Sequence, residues 1–90
     1  MENLVKKMAN KTWGKWYLDE TLAPSLNFAL PWDTYKIALS KCRTISQRKL
    51  WLEHMEIKRY INKRDLVDLR RAFNDLVAAE VLPNELTLRE

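Results

Sequence analysis

The feature that most constrains the fold of this chain is the periodic apolar pattern between Thr44 and Leu82. Apolar residues in its second half recur at three- and four-residue spacings, the period of a helix that buries one side. They are Leu66, Leu69, Phe73, Leu76 and Val77. The opposite side carries charges of alternating sign, at Arg64, Asp68, Arg71 and Asp75. Such pairs contribute about 0.2–0.5 kcal/mol each, and they predict a face turned to solvent.

The composition favours helices over a sheet. One glycine and three prolines in 90 residues argue against a turn-rich β architecture, which needs glycine at many bends. Asp33 suits the N-cap of a first helix, with Trp32 and Ile37 in the two positions of a hydrophobic staple. We therefore expect an all-α fold, a small bundle with three main helices over 33–43, 46–60 and 63–82.

The second and third predicted helices have N-terminal signals of their own. Thr44 or Ser46 caps the second helix, which is apolar on two flanks and is therefore expected to be the central one. Asn62 caps the third helix, with Asp65 reaching back in a variant of the capping box. Pro83 is expected to end that helix.

The remaining residues predict a wrapping segment and a tail around this core. The chain reads as a single domain over 1–90, with a helical core over 32–83. Residues 1–31 are expected to wrap the core, and they include a short helix over Glu2–Asn10. The two-proline stretch from Asp19 to Pro31 supplies apolar side chains that point inward, at Leu22, Leu26, Phe28 and Leu30. Residues 84–90 form a polar tail that frays.

Charge and cysteine content indicate the class of partner and the compartment. A formal charge of +4 and an isoelectric point near 9.4 favour contact with nucleic acid or an acidic protein surface. A single cysteine forms no internal disulfide, which predicts a reducing cytoplasm. No apolar run approaches the roughly 20 residues of a membrane span, and residues 1–10 lack the apolar core of a signal peptide.

Two groups of residues are candidates for partner or nucleic-acid contacts. The first interleaves basic and aromatic side chains, a composition that suits stacking on unpaired bases; its members are Lys11, Trp13, Lys15, Trp16 and Tyr17. The alternative is that this Trp-rich segment covers the core. The second group is basic and comprises Lys58, Arg59 and Lys63 at the predicted helix turn, with Arg70 beyond it. The acidic residues of the last helix disfavour its insertion into a major groove.

The sequence contains no catalytic constellation. Cys42 and His54 are the only cysteine and the only histidine, and a nucleophile–base pair between them would have neither an orienting third residue nor a glycine-rich oxyanion loop. One cysteine and one histidine also do not make a metal-ligand set. We therefore expect no catalytic residues, no metal and no cofactor.

A resemblance adds to this interpretation. The order Y-x3-L-x2-C-x-T-I, formed by Tyr35, Leu39, Cys42, Thr44 and Ile45, is followed by Trp51-Leu52-Glu53. The stretch resembles the Hha/YmoA family of small all-helical bacterial proteins, which modulate transcription by binding the nucleoid protein H-NS. The resemblance implies a helix and turn over Asp33–Glu53 and a nucleoid-associated protein partner. Phe73 stands where that family carries an acidic residue used for its partner.

These observations together predict a small non-enzymatic regulator of bacterial or phage type, such as an inhibitor. It would bind a protein in a DNA-associated complex and modulate transcription. The alternative is direct nucleic-acid binding through the basic and aromatic residues named above. The oligomeric state stays open, because the leftover apolar residues Leu50 and Trp32 fit either a monomer core or a dimer seam.

Overall fold

The computed structural model describes residues 11–20 and 23–83. It shows a four-stranded antiparallel sheet followed by two α-helices. The strands are β1 (Thr12–Trp13), β2 (Trp16–Asp19), β3 (Ser25–Ala29) and β4 (Thr34–Ala38), side by side in chain order. A 3₁₀ turn (Leu39–Lys41) leads to α1 (Ile45–Glu56) and α2 (Lys63–Ala78). The predicted helix over Glu2–Asn10, the inward-pointing Leu22 and the tail lie outside the described residues.

The all-α prediction is wrong, because the chain before α1 alternates with a period of two. Apolar residues at every second position line the inner face of the sheet, where cross-strand partners meet. Trp16 pairs with Phe28 and Leu18 with Leu26 across β2 and β3. On the other side of β3, Leu26 faces Ile37. The side chains of all five are buried.

The first predicted helix, over 33–43, is instead β4 and the 3₁₀ turn. Asp33 does not cap a helix; its Oδ1 accepts a hydrogen bond from the amide of the next residue, Thr34, at 2.7 Å. The residues that carry the Hha/YmoA resemblance therefore lie on β4, the 3₁₀ turn and α1. They do not form the helix and turn that the resemblance implies.

Two tight turns explain why so little glycine suffices for this sheet. Trp13 pairs with Trp16 across a two-residue loop, and Gly14 has a φ of 62° at the first central position, as a type II′ hairpin turn requires. The β3–β4 loop is closed by a hydrogen bond of 2.8 Å from the Leu30 amide to the Asp33 carbonyl. The amide of Ala29 donates to the Lys15 carbonyl at 3.1 Å, so both turns lie at one end of the sheet.

The helix N-termini follow their local sequence signals. Thr44 caps α1 in a capping box with Gln47, and Asn62 caps α2 in a capping box with Asp65. The predicted caps at Thr44 and Asn62 are therefore confirmed. α1 is shorter than predicted and buries only Arg48 and Met55, so the prediction that it is the central helix is wrong.

α2 is the helix that packs on the sheet. The predicted apolar face is confirmed at Leu69, Phe73 and Leu76, which are buried with Trp16 and Phe28 in the core. The opposite, charged side is not turned wholly to solvent, as the sequence had predicted. The β1–β2 hairpin covers it: Asp68 is only 4% exposed. Its carboxylate lies against Gly14, where a Cβ atom would collide with it.

α2 ends before Pro83, and for a different reason than predicted. Glu80 has a φ of 64°, and its amide donates to the Val77 carbonyl at 3.0 Å. The Val81 amide donates to the Leu76 carbonyl at 2.9 Å. These two bonds form a Schellman motif, which turns the chain so that Val81 and Leu82 are buried.

Candidate functional site

The Trp-rich hairpin contributes to the core more than to a contact surface. Trp13 is 2% exposed and Trp16 is fully buried, because their cross-strand pairing places both rings on the inner face of the sheet. The indole of Trp13 donates to Asp75 Oδ2 at 2.8 Å, and that of Trp16 to the Asp65 carbonyl at 2.9 Å. Neither ring has a free face for stacking, so the alternative that this segment covers the core holds for both tryptophans.

The other predicted residues of that segment are dispersed. Lys11 lies beside Asp75, with Nζ 3.8 Å from Oδ2. Tyr17 pairs with Asn27 across β2 and β3, on the sheet face opposite to the helices. Lys15, in the hairpin turn, is exposed. Lys11 and Lys15 are therefore the exposed members of this group on the helix side of the sheet, and of the two only Lys11 is paired with a carboxylate of the described residues.

Lys15 and Lys58 lie against one aromatic cluster. Lys15 Nζ lies 5.9 Å from the ring centre of Phe28, and Lys58 Nζ lies 5.4 Å from that of Tyr35. Phe28 and Tyr35 are direct cross-strand partners. Tyr60, from the α1–α2 turn, contacts both rings at centroid distances of 6.5 and 6.4 Å. Three turns thus bring these side chains together at one end of the sheet.

Trp32 completes this surface. It lies in the β3–β4 turn and is 71% exposed, and its ring stands at 89° to that of Tyr60 with the centroids 6.5 Å apart. Burial, and then the nearby Tyr35, raise the pKa of the Tyr60 hydroxyl, which is therefore protonated at neutral pH. We call Lys15, Trp32, Tyr35, Lys58 and Tyr60, which lie around the buried ring of Phe28, the aromatic–lysine cluster.

Sequence reasoning missed the aromatic half of this cluster. The sequence pattern places Trp32 in a hydrophobic staple, and it places Tyr60 in the strip between the two apolar flanks of the second predicted helix. The available signal was Pro31-Trp32 between two alternating apolar segments, which is typical of a hairpin loop. Arg59, in the inter-helix segment, and Lys63, the first residue of α2, are both exposed. Arg70 lies apart from the inter-helix segment, in a groove between α1 and α2.

α1 presents a second exposed surface. Leu50 is 63% exposed and Ile57 is 80% exposed, and His54 lies between them at helical spacing, so the three share one side of the helix. The ring of Trp51 contacts that of His54 with the centroids 5.5 Å apart. The indole of Trp51 also donates to the Lys41 carbonyl at 3.1 Å. We call Leu50, Trp51, His54 and Ile57 the α1 apolar face.

The lone cysteine is placed as a structural residue. Cys42 is fully buried, and its thiol donates to the Ala38 carbonyl at 3.5 Å. Burial raises the pKa of this thiol to about 12, although the Arg48 guanidinium acts in the opposite direction. The thiol is therefore protonated at neutral pH and is a poor nucleophile. Residues 11–20 and 23–83 contain no cluster of three or more potential metal ligands.

In the part of the chain that the structure describes, no helix has the length and hydropathy needed to cross a membrane. Comparisons with protein-family models, curated proteins and solved structures find no match to this chain. The fold and its surfaces therefore define the class: a small α+β protein with two exposed candidate contact surfaces.

Proposed function

We propose that this chain is a non-enzymatic regulatory protein that binds a protein partner within a nucleic-acid-associated complex. The observation that carries the proposal is the α1 apolar face, where Leu50 and Ile57 are exposed without contributing to the core. Contiguous exposed apolar residues are typical of interaction sites.

The core does not need the side chains of Leu50 and Ile57. α1 buries Met55 in the core and packs the partly buried Trp51 and Leu52 against it, whereas Leu50 and Ile57 take no part. Within residues 11–20 and 23–83, the packing therefore gives the exposed Leu50 and Ile57 no structural role that would keep them apolar. A partner that covers these two side chains would remove their apolar surface from water, which favours binding by about 25 cal/mol for each Å² buried.

The α1 apolar face also has a shape that suits a partner. A shallow depression of about 310 Å³ is lined by Lys41, Gln47, Leu50, Trp51 and His54. The hydrogen bond from Trp51 to the Lys41 carbonyl holds the indole in place, which lowers the entropy cost of binding. Tryptophan is also enriched among residues that dominate interface energies.

Charge favours a partner with acidic character around an apolar contact. The chain carries a formal charge of +4, and Lys41 lies at the edge of the depression. An amphipathic helix with acidic residues beside its apolar side has the matching chemistry. The net charge supports a partner that is itself bound to nucleic acid. The buried, unpaired Cys42 supports a cytoplasmic setting.

The test is affinity capture with the full chain from a lysate of its host treated with nuclease, so that nucleic acid does not bridge the proteins. We expect the wild type to capture a nucleic-acid-associated protein. The double variant Leu50→Ser/Ile57→Ser should capture it at least about tenfold less well, since two exposed contacts of more than 1 kcal/mol would be lost.

Val67→Ser is the matched control, because Val67 is 53% exposed on α2 and lies outside the α1 apolar face. This control should bind as the wild type does, and circular dichroism should show all three proteins folded. Equal capture by the double variant, or no capture by the wild type after nuclease treatment, would overturn the proposal.

A further inference from the structure

We infer that the aromatic–lysine cluster binds unpaired bases of single-stranded nucleic acid. The inference concerns a different surface from the α1 apolar face and does not depend on a protein partner. It also differs from the nucleic-acid site expected from the sequence, because Trp13 and Trp16 lie in the core and Trp32 and Tyr60 take their place.

The exposed ring of Trp32 is the platform on which we expect a base to stack. Its edge-on contact with Tyr60 leaves at least one face of the indole uncovered, as its 71% exposure requires. Beside it lies an open depression of about 480 Å³, lined by Lys15, Ala29, Leu30, Pro31, Trp32 and Tyr60. The depression is open to solvent, so a stacked base has room beside the ring.

Two ammonium groups flank the platform. Lys15 and Lys58 lie over the rings of Phe28 and Tyr35, and within residues 11–20 and 23–83 neither forms an ion pair with a carboxylate. Asp33, the acid in the Trp32 loop, already accepts the Thr34 amide. Aromatic rings beside unpaired lysines are the combination that binds the bases and phosphates of a single strand.

The platform is held in place before any ligand arrives. Pro31 fixes the backbone just before Trp32, and the hydrogen bond from the Leu30 amide to the Asp33 carbonyl closes the loop. Little conformational freedom is therefore left to lose on binding. A duplex would not use this surface, because its bases are already stacked on each other.

The test is fluorescence anisotropy with labelled oligothymidine and oligouridine of about ten nucleotides, within the span that single-strand-binding domains cover. We expect the full chain to bind both at low salt and to bind a duplex of the same length more weakly. Trp32→Ala should weaken binding by about fivefold to one-hundredfold, the range for loss of one stacked base. Trp32→Phe should retain most of the affinity.

The lysines should affect the salt dependence. Lys15→Gln and Lys58→Gln should each weaken binding and reduce the slope of log affinity against log salt by about 0.7, the value per phosphate of a single strand. Lys49→Gln removes the same charge from an exposed residue of α1 outside the cluster, so it is the matched control and should bind as the wild type does.

Several outcomes would overturn the inference: no binding of either single strand at low salt, equal binding by Trp32→Ala and wild type, or a duplex bound as tightly as the single strands. Comparable affinity for oligothymidine and oligouridine supports stacking with phosphate contact. A preference for oligouridine that also holds against oligodeoxyuridine, which lacks only the ribose hydroxyl, supports the site with an added contact to that hydroxyl. None of these results bears on capture through the α1 apolar face, so the two proposals fail separately.

Discussion

Truncating Trp16 and Trp32 to alanine should have very different effects on stability. Trp16 is fully buried, its ring lies 4.7 Å from that of Phe28, and its indole donates to the Asp65 carbonyl. Removing a buried tryptophan costs about 3–5 kcal/mol. The expected stability of a domain of this size is about 5–13 kcal/mol at 0.05–0.15 kcal/mol per residue. Trp16→Ala should therefore remove a large part of the free energy of unfolding.

Trp32→Ala should cost much less. Because Trp32 is 71% exposed, only about 70 Å² of a tryptophan surface of roughly 250 Å² is buried. At about 25 cal/mol per Å² this corresponds to at most about 2 kcal/mol, and the extended-chain reference makes that an upper value.

Urea unfolding followed by far-ultraviolet circular dichroism measures both variants without relying on the tryptophan signal that they remove. With a slope of about 1.5 kcal/mol per molar urea, Trp16→Ala should lower the midpoint by about 2–3 M and Trp32→Ala by no more than about 1 M. Trp16→Phe, which keeps a ring but loses the indole donor, should fall between them. Equal losses for the two alanine variants, or a larger loss for Trp32→Ala, would refute the assignment of Trp16 to the core and Trp32 to the surface.

Three further predictions follow from backbone geometry and from the buried thiol. Gly14→Ala should destabilise the protein by at least about 2 kcal/mol. A residue with a side chain costs about 1–2 kcal/mol in the left-handed conformation, and the new Cβ atom would collide with Asp68. Urea unfolding measures this loss, and an unchanged midpoint would contradict the prediction. Glu80→Gly should stabilise by up to about 1 kcal/mol, because glycine suits the left-handed position of a Schellman motif; a lower midpoint would contradict that reason. Burial raises the pKa of the Cys42 thiol from 9.0 to about 12. The contribution of this thiol to the free energy of unfolding is therefore complete below pH 9 and is lost as the pH rises towards 12, because the unfolded chain ionises first. Stability relative to Cys42→Ala should therefore fall by about 1.4 kcal/mol per pH unit in that window, and parallel pH profiles would contradict it.

The helix N-termini were predictable because their signals are local. Thr44 with Gln47 and Asn62 with Asp65 each form a complete capping box within four residues, so no distant contact is needed to specify them. The apolar face of α2 was predictable for the same reason, since its period is repeated over several turns.

The sheet was not predictable in the same way. Its strands are only two to five residues long. The alternating pattern therefore rests on two apolar residues in a strand, Leu26 and Phe28 in β3 or Tyr35 and Ile37 in β4. Asp33 after Trp32 fits a helix N-cap as well as a hairpin turn, because both place an acceptor next to a free amide. The pairing of the strands decides between them, and pairing depends on residues elsewhere in the chain.

The aromatic–lysine cluster depends on the same distant pairing. Lys15 and Lys58 come from different turns, and they meet one set of rings only because the β1–β2, β3–β4 and α1–α2 turns lie at one end of the sheet. Lys15 and Lys58 could be chosen as candidate contacts from the basic character of their segments alone. The identity of the exposed aromatic residue beside them depends on the register of the strands. That register places Trp13 and Trp16 in the core.

The most direct test of this division of the four tryptophans is a nuclear magnetic resonance titration that follows their indole N–H signals as oligothymidine is added to the full chain. We predict that the Trp32 signal moves with saturation, while the signals of Trp13 and Trp16 keep their positions and exchange slowly with solvent because both are buried donors. Movement of the Trp13 and Trp16 signals with Trp32 unchanged would contradict the account.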